Sequence, residues 1–232
     1  MPDGTAVKYA RRETEREVTL SPQSPAAATV IWLHGLGADG WDFVPVVSEL
    51  GLPDDLPVRF IFPHAPVRPV TVNAGYEMRA WYDIISFTPE GRADAAGLAE
   101  ASQRVMDYVR AESEAGVPAS RVVLAGFSQG GAVALFAGLR HPERLAGILA
   151  LSTYLPFPEK LAADKSAANA QVPILMCHGR EDPMVKLWMG SESRDLLGSQ
   201  GYGVEWHDYP MQHEICIEEL ADVSRWLRAR LG

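Results

Sequence analysis

Cysteine is nearly missing from this chain of 232 residues: Cys177 and Cys216 are the only two, too few for a disulfide framework. Long apolar runs are missing as well. No stretch approaches the ~18 consecutive apolar residues of a membrane helix, which excludes an integral membrane protein of that kind. Positive charge is in deficit, with 21 Lys and Arg against 30 Asp and Glu and a net charge of −9. That balance argues against a nucleic-acid binder, whose affinity rests on neutralised phosphates, and against stable association with an anionic membrane. The first twenty residues are polar and carry Arg11-Arg12-Glu13 and Glu15-Arg16-Glu17, with no apolar h-region. Neither a secretory nor a twin-arginine signal is expected, and the expected compartment is the cytoplasm. Repeats and dividing linkers are absent too. The expected organisation is an N-terminal arm or hairpin over residues 1–25 and a single domain over residues 26–232.

Short apolar runs alternate with helical patterns, which is the α/β signature. Val30–Leu33, Val58–Phe62, Val122–Ala125, Gly147–Leu151 and Pro173–Cys177 read as buried strands, and Val204–Tyr209 as a half-exposed edge strand. Such runs fit a mostly parallel sheet with helices on both faces. After Asp94, a predicted N-cap, Leu98, Ala101, Val105 and Val109 recur at helical spacing until Gly116 and Pro118. Gln129–Arg140 and a C-terminal stripe of Leu220, Val223, Leu227 and Leu231 are two further helices. No large lid domain is expected. The crossover from Ser152 to Val172 leaves room for little beyond one short helix, and the segment from Pro63 to Pro89 lacks an apolar helical stripe.

The chemistry gathers at Gly126-Phe127-Ser128-Gln129-Gly130, a G-x-S-x-G motif joining a buried strand directly to a helix. This context is that of a nucleophile elbow, whose sharp turn makes side chains collide with neighbouring backbone at the two glycine positions of the motif. A serine hydroxyl needs a base, and in this fold class the chain order is serine, acid, histidine. Four histidines follow Ser128. His141 falls at a helix end, His178 at a strand end, and His207 within the edge strand. His213 lies in the loop before the last helix, where the base belongs. Gly179-Arg180-Glu181-Asp182-Pro183 supplies the acid, Asp182 or alternatively Glu181, to orient the imidazole. His34-Gly35-Leu36-Gly37 follows the first long strand. Its Leu36 amide and that of Gln129 are the expected oxyanion donors. Trp81, Tyr154, Met184 and Val185 are placed along an apolar acyl groove, although Trp81 serves equally well as a core residue. No metal site is expected, since His213-Glu214-Ile215-Cys216-Ile217 lacks the second histidine of H-E-x-x-H.

These segments, with Pro63-His64-Ala65-Pro66, Trp81-Tyr82-Asp83-Ile84 and His178-Gly179, resemble the bacterial carboxylesterase and acyl-protein thioesterase family of α/β-hydrolases. The resemblance runs from about residue 29 to 231. It implies an α/β-hydrolase fold, a triad of Ser128, Asp182 and His213, oxyanion donors Leu36 and Gln129, and no cofactor. It also implies a small-molecule ester or acylated substrate and, as an assembly, a homodimer. The expected activity is hydrolysis of short-to-medium carboxylic esters, with thioesters or lysophospholipids as the alternative substrates. A non-catalytic binding protein on the same fold is the competing class, disfavoured by the intact nucleophile, acid and base. Two departures fall near the expected pocket: Met78-Arg79-Ala80-Trp81 and Met211-Gln212-His213-Glu214.

Overall fold

The structure is a computed structural model and describes residues 8–86 and 94–232. Its chain begins with the hairpin β1 (Tyr9–Glu13) and β2 (Glu17–Pro22), followed by β3 (Ala28–Leu33), the short α1 (Val46–Glu49) and β4 (Val58–Pro63). A small hairpin, β5 (Val67–Val70) and β6 (Tyr76–Arg79), precedes the long helix α2 (Ala95–Glu114). Then come β7 (Val122–Phe127), α3 (Gln129–Arg140), β8 (Gly147–Leu151), α4 (Leu161–Asp164) and β9 (Ile174–Gly179). The last elements are α5 (Leu187–Ser199), β10 (Val204–Tyr209) and α6 (Ile217–Leu231).

Eight strands form one sheet in the order β1-β2-β4-β3-β7-β8-β9-β10. All neighbours from β4 to β10 run parallel, while β1–β2 and β2–β4 are antiparallel. The period-2 alternation of side chains sorts the central strands between two cores. Ile31, Leu33, Leu124, Ile148 and Met176 face α2 and α3, whereas Val30, Trp32, Val123, Leu149 and Leu175 face α6 and the residues around α1. Burial on both faces explains why these strands read as continuous apolar runs.

The segment expected as an arm or hairpin is, from Tyr9 on, the β1–β2 hairpin, which extends the sheet at β4. Its Val18 and Leu20 are buried with Phe60 and Phe62. Asp94 caps α2 as its sequence suggests, its carboxylate accepting the Gly97 N–H at 2.8 Å, a contact of a kind worth about 1 kcal/mol. Between β8 and β9 lie only α4 and 3-10 turns. The other lid candidate, Pro63 to Pro89, holds the β5–β6 hairpin, and its last three residues lie outside the described ones. Among the described residues no helix is long and apolar enough to cross a membrane.

Candidate active site

Strand β7 ends at the middle of the sheet, and the chain turns into α3 through a single residue, Ser128, at φ 53° and ψ −119°. A non-glycine residue with positive φ costs of order 1–3 kcal/mol, so the surrounding structure must enforce it. It does so with hydrogen bonds to the Ser128 backbone. The Ser128 N–H donates to the Leu151 carbonyl at 2.8 Å, and the Ser128 carbonyl accepts from Thr153 Oγ1 at 2.7 Å. A Cβ on Gly126 would stand 2.3 Å from the Gly130 backbone, and one on Gly130 would stand 2.3 Å from the Leu33 carbonyl oxygen. Both glycines of the motif are therefore required by close approach.

Gln129 opens α3, and the first amides of a helix have no intrahelical acceptor. Among the described residues neither the Leu36 nor the Gln129 N–H finds a backbone acceptor. The loop bearing Leu36 runs beside the elbow: a Cβ on Gly35 would be 3.6 Å from Ser128 Cβ. His34 anchors that loop from behind. Its Nε2 accepts the Ala65 N–H at 3.0 Å, so Nδ1 carries the hydrogen and donates to the Gly35 carbonyl at 2.7 Å. Burial drives the His34 pKa down to about 4, keeping this ring neutral. Arg79, one of the two departures noted above, adds a second fastening. Its Nη1 donates to the Ala65 carbonyl at 2.9 Å, and its own carbonyl accepts the Gly37 N–H at 2.9 Å.

Asp182 lies in the loop after β9 and His213 in the loop after β10. Parallel pairing of β9 with β10 brings the two loops to the same end of the sheet. Gly179 lets them meet, since a Cβ there would sit 2.1 Å from the Gln212 carbonyl oxygen. Asp182 Oδ2 is 2.6 Å from His213 Nδ1, and Oδ1 accepts the amides of Met184 and Val185 at 2.8 and 2.9 Å. Burial works to raise the Asp182 pKa, but the hydrogen bond and charge of His213 and these two amides outweigh it and hold the carboxyl below its ordinary range. Glu181 is exposed. The His213 ring lies 4.7 Å, centroid to centroid, from Phe127, the residue before Ser128.

Ser128, Gln129, Leu36 and His213 all line one cavity of about 780 Å³. Of the expected groove residues, Tyr154, Met184 and Val185 line it too, with Met184 54% exposed at the rim. Trp81 does not. It is 1% exposed, packed in the core with its Nε1 donating to the His34 carbonyl at 2.9 Å, and its neighbour Tyr82 lines the cavity instead. Both side chains are buried in the same core, but only Tyr82 borders the cavity. Leu155, Phe157 and Trp188 also line the wall and carried no motif that would have marked them.

Gln129 has a side-chain role that its place in the motif did not signal. Its Oε1 accepts the Trp81 N–H at 2.8 Å and its Nε2 donates to the Tyr82 carbonyl at 2.7 Å, clipping the cavity wall to the elbow. The remaining late histidines are occupied elsewhere. His141 is buried against Glu143, His178 bonds the Val185 carbonyl at 2.8 Å, and His207 meets Glu205 on the edge strand. Burial pushes both thiols, Cys177 and Cys216, above their ordinary range. Among the described residues no group of three or more His, Cys, Asp or Glu is placed to hold a metal ion.

Comparison with known proteins gives the following. The sequence profile described as "Phospholipase/Carboxylesterase" matches residues 14–231. Acyl-protein thioesterase 1 of Neurospora crassa is 42% identical over 213 residues, covering 88% of this chain and 87% of that protein. Acyl-protein thioesterase 1 of Mycosarcoma maydis is 35% identical over 91% of this chain and 95% of its own length. Among solved structures, Zea mays acyl-protein thioesterase 2 superposes with a TM-score of 0.84 at 30% identity, over 94% of this chain and all of that one. Arabidopsis thaliana SOBER1 gives the same TM-score, 0.84, at 31% identity over 88% of this chain and 99% of that one. The fold is that of the α/β-hydrolases. These relatives establish the family at large and no bacterial branch of it.

Proposed function

The chain belongs to the phospholipase/carboxylesterase family of hydrolases, and we propose that it is a serine hydrolase acting on acyl thioesters, with acylated protein thiols as its leading substrate class. What carries the serine-hydrolase reading is one observation: the 2.6 Å Asp182–His213 contact opens onto the same cavity as a serine held at positive φ. The thioester preference is supported by the curated relatives named acyl-protein thioesterase, which match over most of both chains. Simple carboxylic esters of short-to-medium chains, and lysophospholipids, use the same groups and are the second reading.

In this proposal Ser128 Oγ attacks the acyl carbonyl while His213 Nε2 takes its proton. Asp182 fixes the imidazole tautomer and stabilises the imidazolium that forms. The Leu36 and Gln129 amides receive the developing oxyanion, a contribution of about 3–4 kcal/mol per donor in comparable sites. The imidazolium then protonates the departing thiolate, and a water activated by His213 releases the acyl group from Ser128. No step calls for a metal or cofactor. Steady-state kinetics on a thioester and an oxyester sharing one acyl chain test the preference: a higher kcat/KM on the thioester is expected, and a clear oxyester preference returns the chain to the carboxylesterase reading.

A further inference from the structure

His178 stands in β9, fully buried, and takes no part in the proton transfers proposed above. Its Nε2 lies 2.8 Å from the Val185 carbonyl oxygen and 3.7 Å from Asp182 Oδ2. Both neighbours are acceptors, so Nε2 carries the ring hydrogen and donates it to Val185. Nδ1 is then an acceptor, and among the described residues it has no partner. It abuts α5 instead: a Cβ on Gly190 would stand 2.5 Å from it, and Trp206 stacks on the ring, 6.0 Å between centroids. Burial lowers the His178 pKa and keeps the imidazole neutral among Asp182, His213 and Asp208, the titratable groups that face it. An apolar side chain would fill this space without a buried, unpartnered nitrogen, but it would supply no Nε2–H.

Val185 connects that hydrogen to the triad. Its carbonyl takes the His178 bond, and its own N–H donates to Asp182 Oδ1 at 2.9 Å. The other carboxylate oxygen, Oδ2, is 2.6 Å from His213 Nδ1. Asp182 and Val185 lie in a loop, whereas His178 is paired with Asp208 of β10 inside the sheet. A chain of three short contacts thus starts on a rigid strand and ends at the base.

We propose that His178 is a positioning residue of the triad: through Val185, its Nε2–H fixes the Asp182 carboxylate and with it the His213 imidazole. The proposal rests on the serine-hydrolase reading and adds to it a residue that touches neither substrate nor reacting atoms.

Three variants assayed on nitrophenyl butyrate test it. His178→Gln puts an amide N–H where the Nε2–H stood, His178→Asn carries the same amide one methylene short of Val185, and His178→Leu has no donor. In the Asn and Leu variants kcat is expected to fall about 3- to 10-fold, the net worth of one neutral hydrogen bond, with KM within about twofold of wild type. His178→Gln should recover most of that loss. Proton NMR supplies the second readout, through the low-field resonance of the hydrogen shared by Asp182 and His213. It should broaden or move upfield in the Asn and Leu variants and return in His178→Gln. A Gln variant as impaired as the Asn variant, a loss confined to KM, or a resonance unchanged in all three overturns the proposal and leaves the ring a core residue. Should His178→Leu fail to fold, the comparison of Asn with Gln decides. Hydrolysis undiminished in Ser128→Ala would instead overturn the parent reading.

Discussion

Asp182 presents one carboxylate oxygen to His213 Nδ1 at 2.6 Å and spends the other on the amides of Met184 and Val185. One oxygen is thus held by its own loop so that the other can hold the imidazole. Glu181, one residue earlier, is exposed and has no such grip. Asp182→Asn is expected to lower kcat by up to ~10⁴, the scale of a wrong imidazole tautomer in a comparable triad. Glu181→Gln should stay within about twofold of wild type, as surface changes usually do. Steady-state kinetics of the two variants side by side check the assignment, and the reverse ranking would move the acid to Glu181.

Ser128 is expected to be the residue that a fluorophosphonate labels. Ser128→Ala should lose both the label and nearly all turnover while unfolding at the wild-type temperature. Mass spectrometry of the labelled peptide locates the adduct; an adduct on any other residue refutes the nucleophile.

Gly130→Ala should be damaging for a reason that has nothing to do with helix propensity. The new methyl would lie 2.3 Å from the Leu33 carbonyl oxygen and 2.6 Å from that of His34, both backbone atoms. Relieving that contact displaces the loop carrying Leu36, so a loss of about 1–3 kcal/mol in stability and a fall in kcat are expected together. Gly198→Ala is the control. It lies in α5 with nothing within 4 Å of its added Cβ, and it should stabilise by roughly 0.5–1 kcal/mol. Urea unfolding of both variants distinguishes the two effects.

Stability should fall on mild acidification, in part through His34. Its pKa drops from 6.5 to about 4 on folding because burial disfavours the charged ring. Between those values the unfolded chain binds a proton that the folded chain refuses, so unfolding free energy rises with pH and is lost as pH falls from 6.5 toward 4. The shift corresponds to about 3 kcal/mol across that window. Urea titrations at pH 7, 6, 5 and 4.5 should show a shallower decline in His34→Gln than in wild type. Equal slopes would mean that His34 protonates as readily in the folded protein.

The elements closest to the sequence were the legible ones. The central strands announce themselves because both faces are buried, and Asp94 announces α2 because a cap acts within three residues. The elbow was legible for the same reason: strand, glycine, serine and helix are contiguous, and their steric demands are local. Tyr82 and Trp81 show where that legibility ends. These adjacent aromatics are both buried, and only the packing around them decides that Tyr82 borders the cavity and Trp81 does not.

Order along the chain and residue type thus determined the sheet, the serine and the short list of acids and bases. Residue pattern left Asp182 and Glu181 open, with the family resemblance favouring Asp182; the tertiary structure sets Asp182, and not Glu181, against His213, through loops that meet at Gly179, where no side chain could fit. It also turned the Gln129 side chain into a clip for residues 81 and 82 and paired Tyr82 with Tyr154, 72 positions away. Contacts of that kind depend on where parallel strands deliver their loops, and no local pattern encodes the distance between two loop ends.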